Sequence, residues 1–193
     1  MFNTLVDPKN ITNFSRNKAE KELFALFCIC CAGKNSTIQA GKLAKFLGDE
    51  VKYGRFTPFK QVNLWLSMGE LRLRMENVKL GQYSRLFRSF AEISGVDIDF
   101  LTLENFESIY GVGPKTSRLF FLHTYKDQKY AVIDTHVLKF LRKIGYKNAP
   151  KNTPSNNYSK WENIFLDFCA DKGIVNIAEF DLFLWSGYAN KKA

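Results

Sequence analysis

Residues 110–118 read YGVGPKTSR, and two incompatible structures compete for those letters. A glycine-rich turn followed by Lys-Thr suggests a loop that cradles a nucleoside triphosphate. That loop needs glycine directly before the lysine, so that backbone N–H groups wrap the phosphates. Here Pro114 stands in that place and removes one donor. The preceding stretch, LTLENFESIY (101–110), also lacks the β-branched run of a strand that feeds such a loop. The alternative is a hairpin between two helices. Gly111 and Gly113 then supply positive φ angles and let a phosphate approach the backbone. Val112 plugs the hairpin into the core, and Pro114 opens the second helix, where its missing N–H costs nothing. The start of that helix is an anion site, to which Thr116 and Ser117 would add hydroxyl contacts. Such a device grips DNA without reading its sequence.

The pattern around the hairpin is helical nearly throughout. In the run AEKELFALFCICC (19–31) the apolar positions Ala19, Leu23, Leu26, Phe27, Cys30 and Cys31 recur at helical spacing. Ser36 is a candidate cap for the next helix and Thr102 for the helix at 103–110, while Pro58 suits a first turn. The connection KNAPKNTPSNNYS (147–159) is rich in Pro, Asn and Ser, and two last helices are expected near 160–172 and 176–187. The fold class expected is all-α, with about ten helices and no internal repeat.

Composition limits the functions. The 193 residues, 46% of them hydrophobic with 18 Phe, suffice for a substantial core. A formal charge of +9 points to an anionic partner, nucleic acid before a membrane surface. Cys28, Cys30 and Cys31 crowd one apolar run and Cys169 lies far away, which fits neither a disulfide framework nor a paired zinc site. The longest apolar run is too short to span a bilayer, and the first residues carry no secretory signal. The expectation is a cytoplasmic protein, nucleoid-associated if prokaryotic.

Downstream of the hairpin comes AVIDTHVLKF (131–140). Asp134 precedes a helix and suits an N-cap, where backbone N–H bonds stabilise its carboxylate. Lys115 lies in the first turn of its own helix, where the dipole disfavours an ammonium and so favours a nucleophilic amine. Taken singly, Lys115 also reads as a phosphate contact and Asp134 as a plain cap.

Together, G-V-G-P-K-T-S and I-D-T-H resemble the helix-hairpin-helix DNA glycosylases of the endonuclease III superfamily. That family carries L-P-G-V-G-x-K-T-A, then V-D-T-H. Tyr110 departs from the family proline. The resemblance implies two helical lobes, 22–125 and 1–21 plus 126–193, with the active site in the cleft between them. It also implies a bifunctional glycosylase and AP lyase that extrudes a damaged base from double-stranded DNA. Lys115 would attack C1′ and form a Schiff base, after which β-elimination nicks the strand. Asp134 would stabilise the cationic sugar. DNA contacts would come from Gly111, Val112, Gly113, Thr116 and Ser117, with Lys34 and Asn35 in a loop that fills the gap left by the base. A monovalent cation on hairpin carbonyls is a further family feature, with no metal held by side chains.

Only Cys169 follows the motif, whereas an iron–sulfur cluster needs several thiolates, so no cofactor is expected. Short length and a cluster-free end look most like the compact microbial 8-oxoguanine glycosylases, and with the aromatic C-terminal helix this makes 8-oxoguanine the expected lesion; a monomer is the expected state. In the ending AEFDLFLWSGYANKKA (178–193), Trp185 is a candidate to stack on the base, against a core position. His136 is expected to support the Asp134 turn. A non-catalytic hairpin module, and a glycosylase for oxidised pyrimidines or mismatched bases, remain the competing functions.

Overall fold

A computed structural model describes residues 1–154 and 156–189. Ten α-helices and one short 3-10 turn make up the regular structure, with no strand among the described residues. The helices are α1 (Lys18–Cys31), α2 (Ser36–Lys52), α3 (Pro58–Ser67), α4 (Leu71–Asn77), α5 (Tyr83–Ser94), α6 (Leu103–Ser108), α7 (Pro114–Thr124), α8 (Thr135–Lys143), α9 (Tyr158–Asp171) and α10 (Ile177–Ala189). The chain divides into two compact units, Met1–Ile11 with Ser15–Ser117 and Thr12–Phe14 with Arg118–Ala193. The division falls inside α7.

In the first unit α1 is the central element. Its start is closed by a capping box in which the Asn17 side chain accepts from Glu20 N while Glu20 accepts from Asn17 N. From Leu23 to Cys30 every residue is buried, so the helix is covered all round rather than along one stripe. It packs against α2, α3 and α5. Each of these large apolar side chains contributes about 1.5–3 kcal/mol when taken from water. Glu22 is buried at its start and accepts from Phe59 N at 3.0 Å, satisfying the first turn of α3. Phe46 of α2 meets Trp65 and Phe90 edge-on, with centroids 4.7 and 5.7 Å away. The cap of α2 differs from the sequence reading. Asn35, not Ser36, accepts from Ile38 N at 3.0 Å, because the helix begins at Ser36, one residue earlier than Ser36 as cap would require.

The second unit is built on Ile133, Val137, Leu138, Leu141, Trp161 and Phe165, with α8 packed on α10. Phe165 and Phe180 stack at 5.7 Å. Buried His123 is held on both sides, by Thr12 Oγ1 at 2.8 Å and Asp181 Oδ2 at 3.2 Å. The connection after α8 is irregular as composition suggests, yet Ala149 within it is buried. Arg142 donates to the carbonyls of Ala149 and Pro150 and ties that loop to its helix.

Candidate active site

The hairpin joins α6 to α7 in the first unit. Thr102 caps α6 by accepting from Asn105 N at 3.1 Å. Phe106, Ile109 and Val112 are buried and pin the turn, and Val112 N donates to Ile109 O. Gly111 takes φ +75°, and a Cβ there would sit 2.7 Å from Arg85 Cγ. Gly113 departs from expectation. Its φ lies outside the left-handed region and a Cβ on it would meet nothing within 4 Å. One glycine makes the turn and the other leaves space outside it. Pro114 is the first residue of α7, and the amides of Thr116 and Ser117 turn back onto the Gly113 carbonyl at 2.9 and 3.1 Å.

Ser117 corrects a second expectation. It is 0% exposed, and its hydroxyl donates to Glu107 Oε1 at 2.7 Å, joining the two helices rather than facing a phosphate. Thr116 is buried as well. Both point inward because the helix turns the residues after Lys115 toward the core. Lys115 itself is half-buried. Its charge reaches the Cys31 thiol, which burial pushes up to about 12 while the lysine acts in the opposite sense.

Sequence reasoning missed what holds this turn, which is one face of α5. Arg85 Nη1 donates to Gly111 O at 3.3 Å, and the Ser89 hydroxyl donates to Tyr110 O at 2.5 Å. Glu92 accepts from Tyr110 N at 2.6 Å, and Arg88 pairs with Glu92 while lying 4.2 Å above the Tyr110 ring. These contacts hold the Glu92 carboxyl below its ordinary value, the Tyr110 N–H first and Arg88 next. The signal was present as a polar i, i+3, i+4, i+7 stripe, but nothing in the sequence said what it faces.

Lys34 and Asn35 are exposed in the turn after α1, beside the loop that precedes α5. A Cβ on Gly81 would lie 3.8 Å from Lys34 Nζ. The buried Gln39 amide fixes the two segments by donating to Cys30 O and Leu80 O, both at 3.1 Å. In that loop Lys79 and Gln82 adopt left-handed φ angles of 55° and 47°.

Asp134 belongs to the second unit and is 9% exposed. As expected it caps α8, with Oδ1 accepting from His136 N and Val137 N at 2.8 Å. The extended residues leading to it are clamped by α9. Ile133 N donates to the Tyr158 hydroxyl at 2.8 Å, and that hydroxyl donates to Ala131 O at 2.9 Å. Ala131 N donates to Glu162 Oε1 at 3.0 Å, and Glu162 is paired with Arg118 at 3.1 Å. Burial raises the Tyr158 phenol above its ordinary value, which keeps it a neutral donor. The His136 ring stacks on Tyr188 at 6.3 Å and 20°, and Lys139 Nζ lies 5.0 Å from the Tyr188 ring. Trp185 is half-buried one turn earlier on α10, and the tail 190–193 lies outside the described residues.

Among the described residues no group of three or more His, Cys, Asp or Glu side chains is placed to hold a metal ion. No described helix is long and apolar enough to cross a membrane.

An all-helical chain with a lysine at the mouth of a helix-hairpin-helix and an aspartate capping a later helix has the parts of a helix-hairpin-helix DNA glycosylase. Residues 7–174 match the family model described as 8-oxoguanine DNA glycosylase, and the chain belongs to that family. It is 26% identical over 184 residues to a Korarchaeum cryptofilum (strain OPF8) protein named 8-oxoguanine DNA glycosylase/AP lyase, covering 92% of this chain and 85% of that protein. Its fold is similar to the crystal structure of Methanocaldococcus jannaschii 8-oxoguanine DNA glycosylase, with TM-score 0.61 and 21% identity over 92% of this chain and 82% of that one.

Proposed function

We propose that the protein is a monomeric, bifunctional DNA glycosylase and AP lyase that removes 8-oxoguanine from double-stranded DNA. The observation that carries this is Lys115 in the first turn of α7, directly after a hairpin whose Gly113 backbone has open space in front of it. A phosphate bound there would bring its sugar within reach of the lysine.

The Lys115 amine attacks C1′ as the C1′–N9 bond breaks, and the base leaves with the bonding electrons and takes up a proton. The sugar ring opens to a protonated imine. Loss of a C2′ proton then expels the 3′ phosphate, which is the β-elimination. Asp134 stabilises the positive charge that builds on the sugar as the base departs. Its carboxylate is already oriented by hydrogen bonds accepted from two backbone N–H groups, so it need not reorganise during the reaction. His136 supports that turn, and Tyr188 with Trp185 offers aromatic surface to the extruded base. Lys34 and Asn35 face the gap in the duplex. Gly111 and Val112 shape the hairpin, while Gly113 and the start of α7 meet the backbone. A monovalent cation at the hairpin would be held by its main-chain carbonyls, of which those of Tyr110 and Gly111 also accept from Ser89 and Arg85.

Borohydride trapping on an 8-oxoguanine duplex tests the proposal. A reduced covalent adduct that disappears with Lys115→Gln is expected. Base release without any adduct would refute the lysine mechanism, and efficient release of oxidised pyrimidines with 8-oxoguanine untouched would refute the substrate.

A further inference from the structure

Arg85 touches more of the lysine's surroundings than any packing role requires. Its guanidinium donates to Ile29 O at 3.0 Å, to Gly111 O at 3.3 Å and to Gln82 Oε1 at 2.5 and 2.9 Å. Its aliphatic stem fills the space where a side chain on Gly111 would stand. Ile29 lies two residues before Cys31, whose thiol feels the Lys115 charge, and Gly111 lies four residues before Lys115. One planar fork therefore binds a carbonyl of the hairpin and a carbonyl near the end of α1, and bonds the Gln82 side chain as well.

We propose that Arg85 is a positioning residue for the Lys115 amine, fixing the hairpin against the end of α1 through these hydrogen bonds. The inference rests on Lys115 being the nucleophile. A guanidinium suits the task because its donors are held in a rigid fork, whereas an ammonium is a single point that cannot serve three divergent acceptors. The half-buried setting strengthens each bond relative to open water. Packing of α5 does not depend on it, because Leu86, Phe90 and Ile93 on that helix are fully buried. Releasing the hairpin should leave a folded protein whose nucleophile is misplaced.

Arg85→Lys keeps the stem and the charge and removes the fork. It is to be compared with wild type and Lys115→Gln by single-turnover borohydride trapping on an 8-oxoguanine duplex, alongside affinity for undamaged duplex. The expected result is an unchanged final trapped fraction and unchanged affinity, with a rate constant lower by roughly ten- to hundredfold, the range for a misplacement near 1 Å. A variant that is merely destabilised loses trapped fraction while its surviving molecules react at the wild-type rate. That outcome, or a wild-type rate with full trapping, overturns the proposal. Lys115→Gln separates the two readings. If it still traps, the nucleophile assignment itself fails; if it does not trap while Arg85→Lys reacts normally, only the role of Arg85 fails.

Discussion

Replacing Gly111 and Gly113 in turn by alanine should give opposite outcomes, although the two glycines stand two residues apart in one motif. At Gly111 the backbone holds φ +75° and the new Cβ would lie 2.7 Å from Arg85 Cγ, 3.0 Å from Arg85 Cδ and 3.3 Å from Ser89 Oγ. The left-handed conformation costs an L-residue about 1–2 kcal/mol. Displacing the Arg85 stem adds about 1–3 kcal/mol of overpacking, because its head is tied to three acceptors and cannot swing freely. The sum, about 2–5 kcal/mol, corresponds to a fall in Tm of about 4–20 °C for a chain of this length. At Gly113 neither cause operates, and lowering the freedom of the unfolded chain stabilises by up to about 1 kcal/mol. Its methyl group instead occupies space in front of the hairpin, so affinity for duplex DNA should drop. Circular dichroism melts and binding isotherms for both variants form the assay. Equal melting temperatures for the two variants would refute the reasoning, since the structure assigns strain to one glycine alone.

Asp134→Asn should slow excision by on the order of a hundredfold or more, from loss of transition-state charge stabilisation. Its melting temperature should hold, because asparagine also caps a helix; single-turnover rates and melts check both. Burial pushes the Cys31 and Cys169 thiols up to about 12 and about 11, so at pH 8 nearly all of each stays protonated and unreactive. Iodoacetamide at that pH should leave the native thiols intact while alkylating the unfolded chain, and rapid labelling of Cys31 in native protein contradicts this. Glu92 has a folded pKa held below 4.5, so its contribution to stability is complete above that value and is lost as the pH falls. Glu92→Gln should therefore melt below wild type at pH 7, with the gap closing toward pH 3.

Much of the site was legible because its signals are local. Thr102, Pro114 and Asp134 are each defined by the few residues that follow them, and each occupies the terminus its type suggested. The lysine's place followed from Pro114 in the same way. Orientation within a turn was not legible. Ser117 reads as a hydroxyl beside the phosphate site, and only the fold shows that its hydroxyl bonds Glu107 of α6 instead. The two glycines look alike because a sequence does not state which carries the positive φ. The run 23–31 gave a helix correctly, but its burial on every side depends on α2, α3 and α5 all packing there.

The least legible parts are the side chains that hold the reactive ones. Lys115 and Asp134 both sit where a loop becomes a helix, positions that keep a side chain available but are loosely held by their own backbone. Each unit supplies the missing restraint from a helix remote in sequence. The face of α5 carrying Arg85, Ser89 and Glu92 grips the hairpin, while its other face bears Leu86, Phe90 and Ile93 in the core. The α9 helix does the same for the approach to Asp134, with Tyr158 and Glu162 bonded to Ala131 and Ile133 while Trp161 and Phe165 are buried. A helix anchored by its apolar face transmits that rigidity through short hydrogen bonds to a segment with no regular structure of its own. Side chains used in this way are neither nucleophile nor core, so no motif contains them, yet the precision of a reactive group depends on them.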